Sequence, residues 1–369
     1  MSAKGLEGIV ATQSSISSII DGVLTYAGIN IDELAENASF EEVIYLLWHG
    51  RLPKADELAQ LKKDLAENAA IPEDVIALLK ASPEGNHPMS VLRTAISALA
   101  LYDPEAQDMT REANLRKATR LQSKVATVIA AYHRLRQGKE IVAPRPDFCL
   151  AQNFLYMLNG EEPDQIAIDA LDTALVLHAD HELNASTFAA RVTVATLSDI
   201  YSGITSAIGA LKGPLHGGAN EAVMAMLEDI KDPAQAESYI REKLAQKVKI
   251  MGFGHRVYRD GDPRAKHLRK MSEKLTEITG QSQWYEMSVK IDELVTSEKG
   301  LKPNVDFYSA SVYHSLGIPR DLFTPIFAIS RMSGWTAHIL EQYENNRLIR
   351  PRAEYVGPVN AHYVPLDER

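Results

Sequence analysis

Apolar residues recur at helical spacing along most of the chain. Three segments carry the pattern: Val43, Leu46 and Leu47; Leu58, Leu61 and Leu65; and Val223, Met226, Leu227 and Ile230. Positions three and four residues apart share one face of an α-helix, so each segment predicts an amphipathic helix. Helix start signals agree, since Pro72 precedes two acidic residues, Asp164 follows a proline and Asp232 precedes another. The sequence therefore predicts an all-α protein.

The β-branched residues 9–12 predict a short strand or hairpin near the N-terminus. No alternation of strands and helices follows, which disfavours a parallel sheet and a dinucleotide-binding domain of the Rossmann type. The length of 369 residues favours two lobes, because a single core stops growing at roughly 250 to 300 residues. Glycine and proline cluster at residues 203–218, 252–263 and 300–303, which predicts hinges and site loops around a helical insert over residues 217–321.

The composition is that of a globular protein, with 45% hydrophobic and 24% charged residues. The longest apolar stretches, such as residues 323–329, are far shorter than the roughly 18 residues that a membrane-spanning helix needs. The first residues also lack a basic and then apolar leader. Cys149 is the only cysteine, which excludes an internal disulfide and an all-thiolate metal site. We expect a soluble cytoplasmic protein.

The formal charge of -10 would repel a polyanion over most of the surface, so nucleic acid and anionic membranes are not expected partners. The charge is uneven, however. Residues 247–274 contain nine Lys or Arg against three acidic residues. An acidic protein with one basic patch suggests a small anionic ligand.

Several histidines stand in patterns that could carry chemistry. His178 and His181 lie three apart, which on one helical face could ligate zinc; capping and buried hydrogen bonding at a helix end is the more common explanation. His216 lies in a glycine-flanked loop, with Asn220 as the expected cap of the next helix. A histidine near a helix N-terminus stays neutral and can donate a hydrogen bond to an oxyanion, although a plain turn and cap fits equally well. His255, also between glycines and inside the basic patch, favours an anion site over a solvated loop.

Two charged residues have both structural and functional explanations. Asp306 stands where a helix is predicted to begin, so an N-cap is the common explanation and a catalytic base the alternative. Arg331 interrupts an apolar helix, and a buried arginine needs an anionic partner, either a structural carboxylate or a bound acid.

Taken together, seven motifs resemble those of citrate synthase, in family order and over almost the whole chain. They are residues 47–49 (LWH), 178–182 (HADHE), 213–220 (GPLHGGAN), 252–255 (GFGH), 262–264 (DPR), 303–306 (PNVD) and 349–352 (IRPR). The match looks closest to the short bacterial citrate synthases of the Bacillus type. The resemblance implies an all-helical fold with a large domain of residues 1–216 and 322–369 and a small, CoA-binding domain of residues 217–321.

The resemblance further implies a homodimer whose domain cleft closes over oxaloacetate and then acetyl-CoA, with no permanently bound cofactor or metal and with CoA as a product. Its glycine-rich hinges would lie near residues 213–218 and Asp321. The roles carried over by motif are the base for Asp306, the enol-oxygen donor for His216 and the donor to the ketone oxygen of oxaloacetate for His255. The oxaloacetate carboxylates would meet His181, Arg264, Arg331 and, from the partner subunit, Arg350, while Arg259 and Arg256 would contact CoA phosphates.

Three alternatives remain open at this stage. The family includes 2-methylcitrate synthases, which share the same motifs but use propionyl-CoA, and one methylene group is worth only roughly 1 to 3 kcal/mol in an apolar pocket. A zinc hydrolase using His178, His181 and a third histidine would require stoichiometric metal. A non-catalytic acyl-CoA-binding protein on the same scaffold would bind CoA without turnover.

Overall fold

The computed structural model describes residues 4–6, 8–255, 257–258 and 260–369. These residues form sixteen α-helices, a small antiparallel sheet and four short 3-10 helices. The helices are α1 (Ile31–Asn37), α2 (Phe40–His49), α3 (Ala55–Glu67), α4 (Glu73–Lys80), α5 (Pro88–Leu99), α6 (Arg111–Arg136), α7 (Leu150–Asn159), α8 (Gln165–His178), α9 (Ala185–Val194), α10 (Ile200–Leu211), α11 (Ala219–Ile230), α12 (Ala236–Ala245), α13 (Ala265–Ile278), α14 (Gln283–Lys299), α15 (Val305–Ser315) and α16 (Phe323–Glu344). The predicted all-α fold is confirmed.

The sheet consists of β1 (Ser17–Ile20), β2 (Val23–Tyr26) and β3 (Ile29–Asn30) in the order β1-β2-β3. A small N-terminal β element is therefore present, but its predicted position at residues 9–12 is wrong. Ile9 and Val10 are exposed and outside any strand, because the turn that closes the hairpin lies further on. Asp21 and Gly22 form that turn with positive φ angles of 51° and 79°, the backbone that suits a tight two-residue hairpin.

Most helices begin where the polar residues of the sequence predict. Pro72 precedes α4, and the Asp164 side chain accepts from the backbone N–H of Ala167 at the start of α8. The predicted Asn220 cap is wrong. The Gly218 carbonyl already accepts the N–H of Ala222, so α11 begins one residue before Asn220, and the Asn220 side chain accepts from the adjacent Glu221 N–H instead.

The long helix α16 lies at the centre of the molecule and is buried on all sides, which accounts for its apolar sequence. It packs against α2, α6, α8, α9 and α10. Helices α11 to α15 pack mainly against one another, while α13 and α15 also contact α8, and α11 contacts α16. The division into domains of residues 1–216 with 322–369 and residues 217–321 stays a prediction. Within the described ranges, no helix is both long and apolar enough to cross a membrane.

Candidate active site

The loop that follows α8 carries the first group of candidate residues. Helix α8 ends at His178, so His181 lies beyond it, and the prediction that the two imidazoles share a helical face is wrong. The chain leaves the helix because Tyr26 of β2 holds the loop: its hydroxyl accepts the N–H of Asp180 at 3.2 Å and lies 3.1 Å from the Asp180 carbonyl. His178 is buried, with Nδ1 2.7 Å from the Ala174 carbonyl. Over the part of the chain that the structure describes, no three His, Cys, Asp or Glu residues form a metal-binding group.

His181 and His255 lie side by side in the site, with ring centroids 5.1 Å apart. The Nε2 atom of His181 is 3.0 Å from the Tyr258 hydroxyl. The Nδ1 atom of His255 accepts the backbone N–H of Val257 at 3.0 Å, which leaves the ring hydrogen on Nε2. Burial and then the charge of Arg264 hold the pKa of both imidazoles below the usual value, that of His181 well below it. Both rings are therefore neutral near pH 7 and can donate one hydrogen bond each.

His216 lies in the turn between α10 and α11, next to the N-terminus of α9. Its Nε2 atom is 2.8 Å from the hydroxyl and 3.3 Å from the backbone N–H of Ser186. Since a backbone N–H can only donate, this contact assigns the ring hydrogen to Nδ1. Burial and the charge of Arg331 lower the His216 pKa to about 4. Trp335 of α16 donates to the Ser186 hydroxyl at 3.0 Å and so braces the arrangement.

Asp306 lies in the first turn of α15, but it is not the helix cap. Asn304 takes that position, and its side chain accepts the N–H of Asp306 at 3.1 Å. The Oδ1 atom of Asp306 is buried and has no hydrogen-bond partner among the described residues. Burial raises the pKa of this carboxyl group to about 7, although the charge of Arg264 acts against the increase. An ionisable group with this environment matches a general base near neutral pH.

Backbone hydrogen bonds join the loop of His255 to the start of α15. The Gly254 N–H donates to the Lys302 carbonyl at 2.9 Å, and the Asn304 N–H donates to the Gly252 carbonyl at 2.9 Å. Gly252 has a φ of 83° and packs so closely on Phe307 that a Cβ atom would lie 2.8 Å from its ring. These contacts fix His255 relative to Asp306.

The two candidate arginines of this region differ in their partners. Arg264 is buried and makes a two-point ion pair with Asp262, at 2.9 Å from Nε and 2.8 Å from Nη2. Burial by itself would lower the Arg264 pKa, but Asp262 outweighs that effect and the pKa is raised. Asp262 also accepts the N–H of Val305 at 3.0 Å, which connects this pair to α15.

Arg331 is fully buried in the middle of α16 and has no ion pair with any residue in the described ranges. Its Nε donates to the His178 carbonyl at 2.8 Å, and its guanidinium lies 4.7 Å from the centre of the Phe327 ring. Burial lowers its pKa to about 10, so it stays charged at neutral pH. The charge of Arg331 acts on the pKa of His181, of His216 and of Asp306, which indicates that the three side chains lie in the neighbourhood of this guanidinium. A buried cation without a carboxylate partner is a site for an anionic ligand.

The remaining predicted residues do not join this group. Arg350 is exposed in the irregular segment after α16, where it lines a separate groove of about 830 Å³ beside residues 9–15. Arg256 and Arg259 lie outside the described residues. Sequence reasoning missed Ser186, which contacts His216, Trp335, which contacts Ser186, and Tyr258, which contacts His181. Their roles depend on contacts between distant segments, and no local motif marks them.

Comparisons with known proteins show the family of this chain. The family described as "Citrate synthase, C-terminal domain" matches residues 5–352. Citrate synthase 2 of Bacillus subtilis is 67% identical over 99% of both chains, whereas 2-methylcitrate synthase 1 of Corynebacterium glutamicum is 43% identical over 99% of this chain and 98% of that one.

Solved structures give the same result. Citrate synthase from Pyrobaculum aerophilum superposes with a TM-score of 0.93 at 40% identity, covering 99% of this chain and 95% of that one. The Thermoplasma acidophilum enzyme, in a ternary complex with carboxymethyl coenzyme A and oxaloacetate, has a TM-score of 0.93 at 37% identity over 99% of both chains. The chain described here therefore belongs to the citrate synthase family.

Proposed function

We propose that this protein condenses acetyl-CoA with oxaloacetate and hydrolyses the resulting citryl-CoA to citrate and CoA, the entry step of the tricarboxylic acid cycle. The observation that carries the proposal is the Asp306 carboxyl group, buried with its Oδ1 unpartnered among the described residues and with a pKa of about 7. The same candidate site contains neutral imidazoles and a buried arginine that has no ion pair within the described ranges. A carbon acid requires this combination of a base and placed hydrogen-bond donors.

In the first step, Asp306 takes a proton from the methyl group of acetyl-CoA. A carboxylate with the usual pKa of about 3.9 is a weak base for this purpose, and the raised pKa of Asp306 makes it a stronger one. The negative charge develops on the thioester oxygen, where the Nδ1–H of neutral His216 donates a hydrogen bond. A neutral donor suits this role because the enol oxygen then receives a hydrogen bond without needing a full proton transfer.

In the second step, the enol carbon attacks the ketone carbon of oxaloacetate. The Nε2–H of His255 donates to the ketone oxygen and gives it a proton as the new carbon–carbon bond forms, and the proton that Asp306 took from the methyl group then returns to the imidazole. Water then cleaves the thioester of citryl-CoA. The two carboxylates of oxaloacetate are bound by Arg331, which has no internal ion pair within the described ranges, with His181, Arg264 and, from the partner subunit, Arg350. Closure of the two domains keeps water out until condensation is complete.

The CoA phosphates are bound by Arg259 and Arg256, which lie outside the described residues, and no permanently bound cofactor takes part. Citrate is favoured over 2-methylcitrate as the product, since the chain is 67% identical to citrate synthase 2 of Bacillus subtilis but 43% identical to 2-methylcitrate synthase 1 of Corynebacterium glutamicum. The protein acts in the cytoplasm, a location supported by its single cysteine, since proteins of a reducing compartment do not depend on disulfides.

The test is the release of thiol from acetyl-CoA and from propionyl-CoA, each with and without oxaloacetate. The wild type should turn over acetyl-CoA faster, and only with oxaloacetate. Asp306→Asn should lose this activity. Asp172→Asn is the matched control, since Asp172 is a partly buried carboxyl group, with a pKa raised to about 8 by burial and by Glu41, but it contacts the Phe40 N–H away from the site. A preference for propionyl-CoA would indicate a 2-methylcitrate synthase, and no turnover of either would indicate a binding protein.

The homodimer is tested separately by mixing two inactive variants. Asp306→Asn and Arg350→Ala should each be inactive alone if every site combines Asp306 of one subunit with Arg350 of the other. A hybrid dimer then contains one site with both wild-type residues, so unfolding and refolding the two variants together should restore activity. Arg350 is exposed and lines a groove that includes none of the other predicted site residues of its own chain, which supports this arrangement. Lack of complementation in a dimer confirmed by light scattering would contradict it.

A further inference from the structure

One face of α16 packs along the end of α8 and the loop that follows it. Arg331 donates to the His178 carbonyl, as described above. One turn further along, Gly334 packs against the loop so closely that a Cβ atom would lie 2.5 Å from Oδ1 of Asp180. One more turn along, Nε2 of His338 lies 3.2 Å from Oδ2 of Asp180. These positions, three and four residues apart, share one side of the helix.

His338 is fixed in one tautomer by its second neighbour. The Nε and Nη2 atoms of Arg191 lie 3.1 and 2.9 Å from Nδ1 of His338. A guanidinium has only donors, so Nδ1 carries the lone pair and Nε2 carries the hydrogen that it donates to Asp180. Arg191 is itself held by Gln342, at 2.9 Å, and by an ion pair with Glu341. The imidazole therefore connects a buried cation to a buried anion.

Asp180 is completely buried and precedes His181 in the chain. Its Oδ2 also accepts a hydrogen bond from the Ser17 hydroxyl, whose oxygen accepts the Glu182 N–H at 2.9 Å. Burial alone would raise the Asp180 pKa, but His338, Arg331 and Ser17 outweigh burial and hold the pKa below its usual range. Asp180 is thus a carboxylate held in place by these contacts. It is adjacent in the chain to His181 and is stabilised by the charge of Arg331, and both residues are proposed oxaloacetate ligands.

We propose that His338, held by Arg191, is a positioning residue for oxaloacetate: by anchoring Asp180 it fixes the loop that carries His181 against the helix that carries Arg331. His338 does not touch the substrate. It sets the distance between His181 and Arg331, which must bind the same oxaloacetate dianion. A displacement of either side chain by about 1 Å is enough to disturb this arrangement severely. The inference rests on the proposed function, since it concerns the binding of oxaloacetate at that same site.

Three variants test the role. His338→Phe fills the same space but removes both hydrogen bonds. His338→Gln can present its amide oxygen to Arg191 and its amide N–H to Asp180, which keeps both contacts. His133→Phe is the matched control, because His133 is another buried imidazole whose Nδ1 lies 3.0 Å from an arginine, Arg136, at the C-terminal end of α6.

Steady-state kinetics should separate the variants. We expect His338→Phe to raise KM for oxaloacetate about tenfold or more, with kcat within about threefold and KM for acetyl-CoA unchanged, because binding common to the ground and transition states is lost. His338→Gln should recover most of the affinity, and His133→Phe should match the wild type. Calorimetric titration of oxaloacetate should give the same order without relying on turnover.

The outcomes separate the inference from the proposed function. Wild-type inactivity with acetyl-CoA and oxaloacetate would refute the function, and calorimetry would still report on positioning. An active wild type with an unchanged KM for oxaloacetate in His338→Phe would overturn the inference. Equal effects of His338→Phe and His338→Gln would also overturn it. So would a rise in KM for both substrates together with a lower thermal stability, since that result indicates a general packing defect.

Discussion

The Asp306 carboxyl group allows a prediction that joins stability to catalysis. Burial raises its pKa from 3.8 to about 7, with Arg264 and Arg331 offsetting part of the effect. The folded protein therefore holds this proton more tightly than the unfolded chain does between those two values. The carboxyl group costs no stability below about pH 4, costs more as the pH rises, and reaches a constant cost above about pH 7.

Asp306→Asn should remove this cost together with the activity. At about 1.4 kcal/mol for each pH unit, the raised pKa corresponds to about 4 kcal/mol of unfolding free energy above pH 7. The variant should therefore be more stable than the wild type. Its advantage should grow by about 2 kcal/mol between about pH 5.5 and about pH 8.

Urea unfolding followed by circular dichroism at the two pH values measures the difference, at a fixed protein concentration because a dimer would make stability depend on it. Asp32→Asn is the control of opposite sign. Hydrogen bonds from Lys266 and His267 outweigh burial and lower the Asp32 pKa, so this variant should lose stability at neutral pH, with a difference that shrinks toward acid. An Asp306→Asn variant whose advantage is absent, or does not change with pH, would refute the description of Asp306 as a buried, unpaired carboxylate.

Three further substitutions test other parts of the site. His216→Ala should lower kcat by roughly 10² to 10³ with little change in KM for oxaloacetate, measured by thiol release. Arg331→Met should raise that KM and yet increase the unfolding free energy by up to about 3 kcal/mol, because burial lowers the arginine pKa from 12.5 to about 10. Gly334→Ala should cost roughly 1 to 3 kcal/mol, because a Cβ atom would lie 2.5 Å from Asp180. Its control is Gly209→Ala in an exposed position of α10, where among the described residues a Cβ atom would meet nothing within 4 Å beyond its own helix; this variant should be neutral or stabilising in the same urea unfolding experiment.

The helical pattern predicted the fold class, because amphipathic periodicity is a local property that burial in the tertiary structure reinforces. It placed helix ends less well. No residue near His178 in the sequence marks the end of α8. The hydroxyl group that holds the loop after α8 belongs to Tyr26, which lies near the N-terminus. Asn304 and Asp306 are both good caps two residues apart, and only the structure decides that Asn304 takes the position.

The sequence predicted which motif residues belong to the candidate site. It did not predict the ion pairs and hydrogen bonds that surround them. The sequence indicated that Arg331 would need an anion, but the absence of an ion pair within the described residues depends on how α16 packs. The contacts of Ser186 with His216 and of Tyr258 with His181 join segments 30 and 77 residues apart. Their hydrogen bonds have no counterpart in local sequence periodicity, which reports only on neighbours within a few turns.

The loop after α8 depends on both ends of the chain, which has a consequence for how the protein is made. Ser17 reaches Asp180 across 163 positions and His338 reaches it across 158. Contacts of such long range form late, because the entropy of closing the intervening chain is lost before they contribute. Almost the entire polypeptide must therefore leave the ribosome before the loop after α8 can form its contacts with Ser17 and His338. A ligand that binds there would stabilise only finished molecules, and a nascent or truncated chain would gain nothing from its presence.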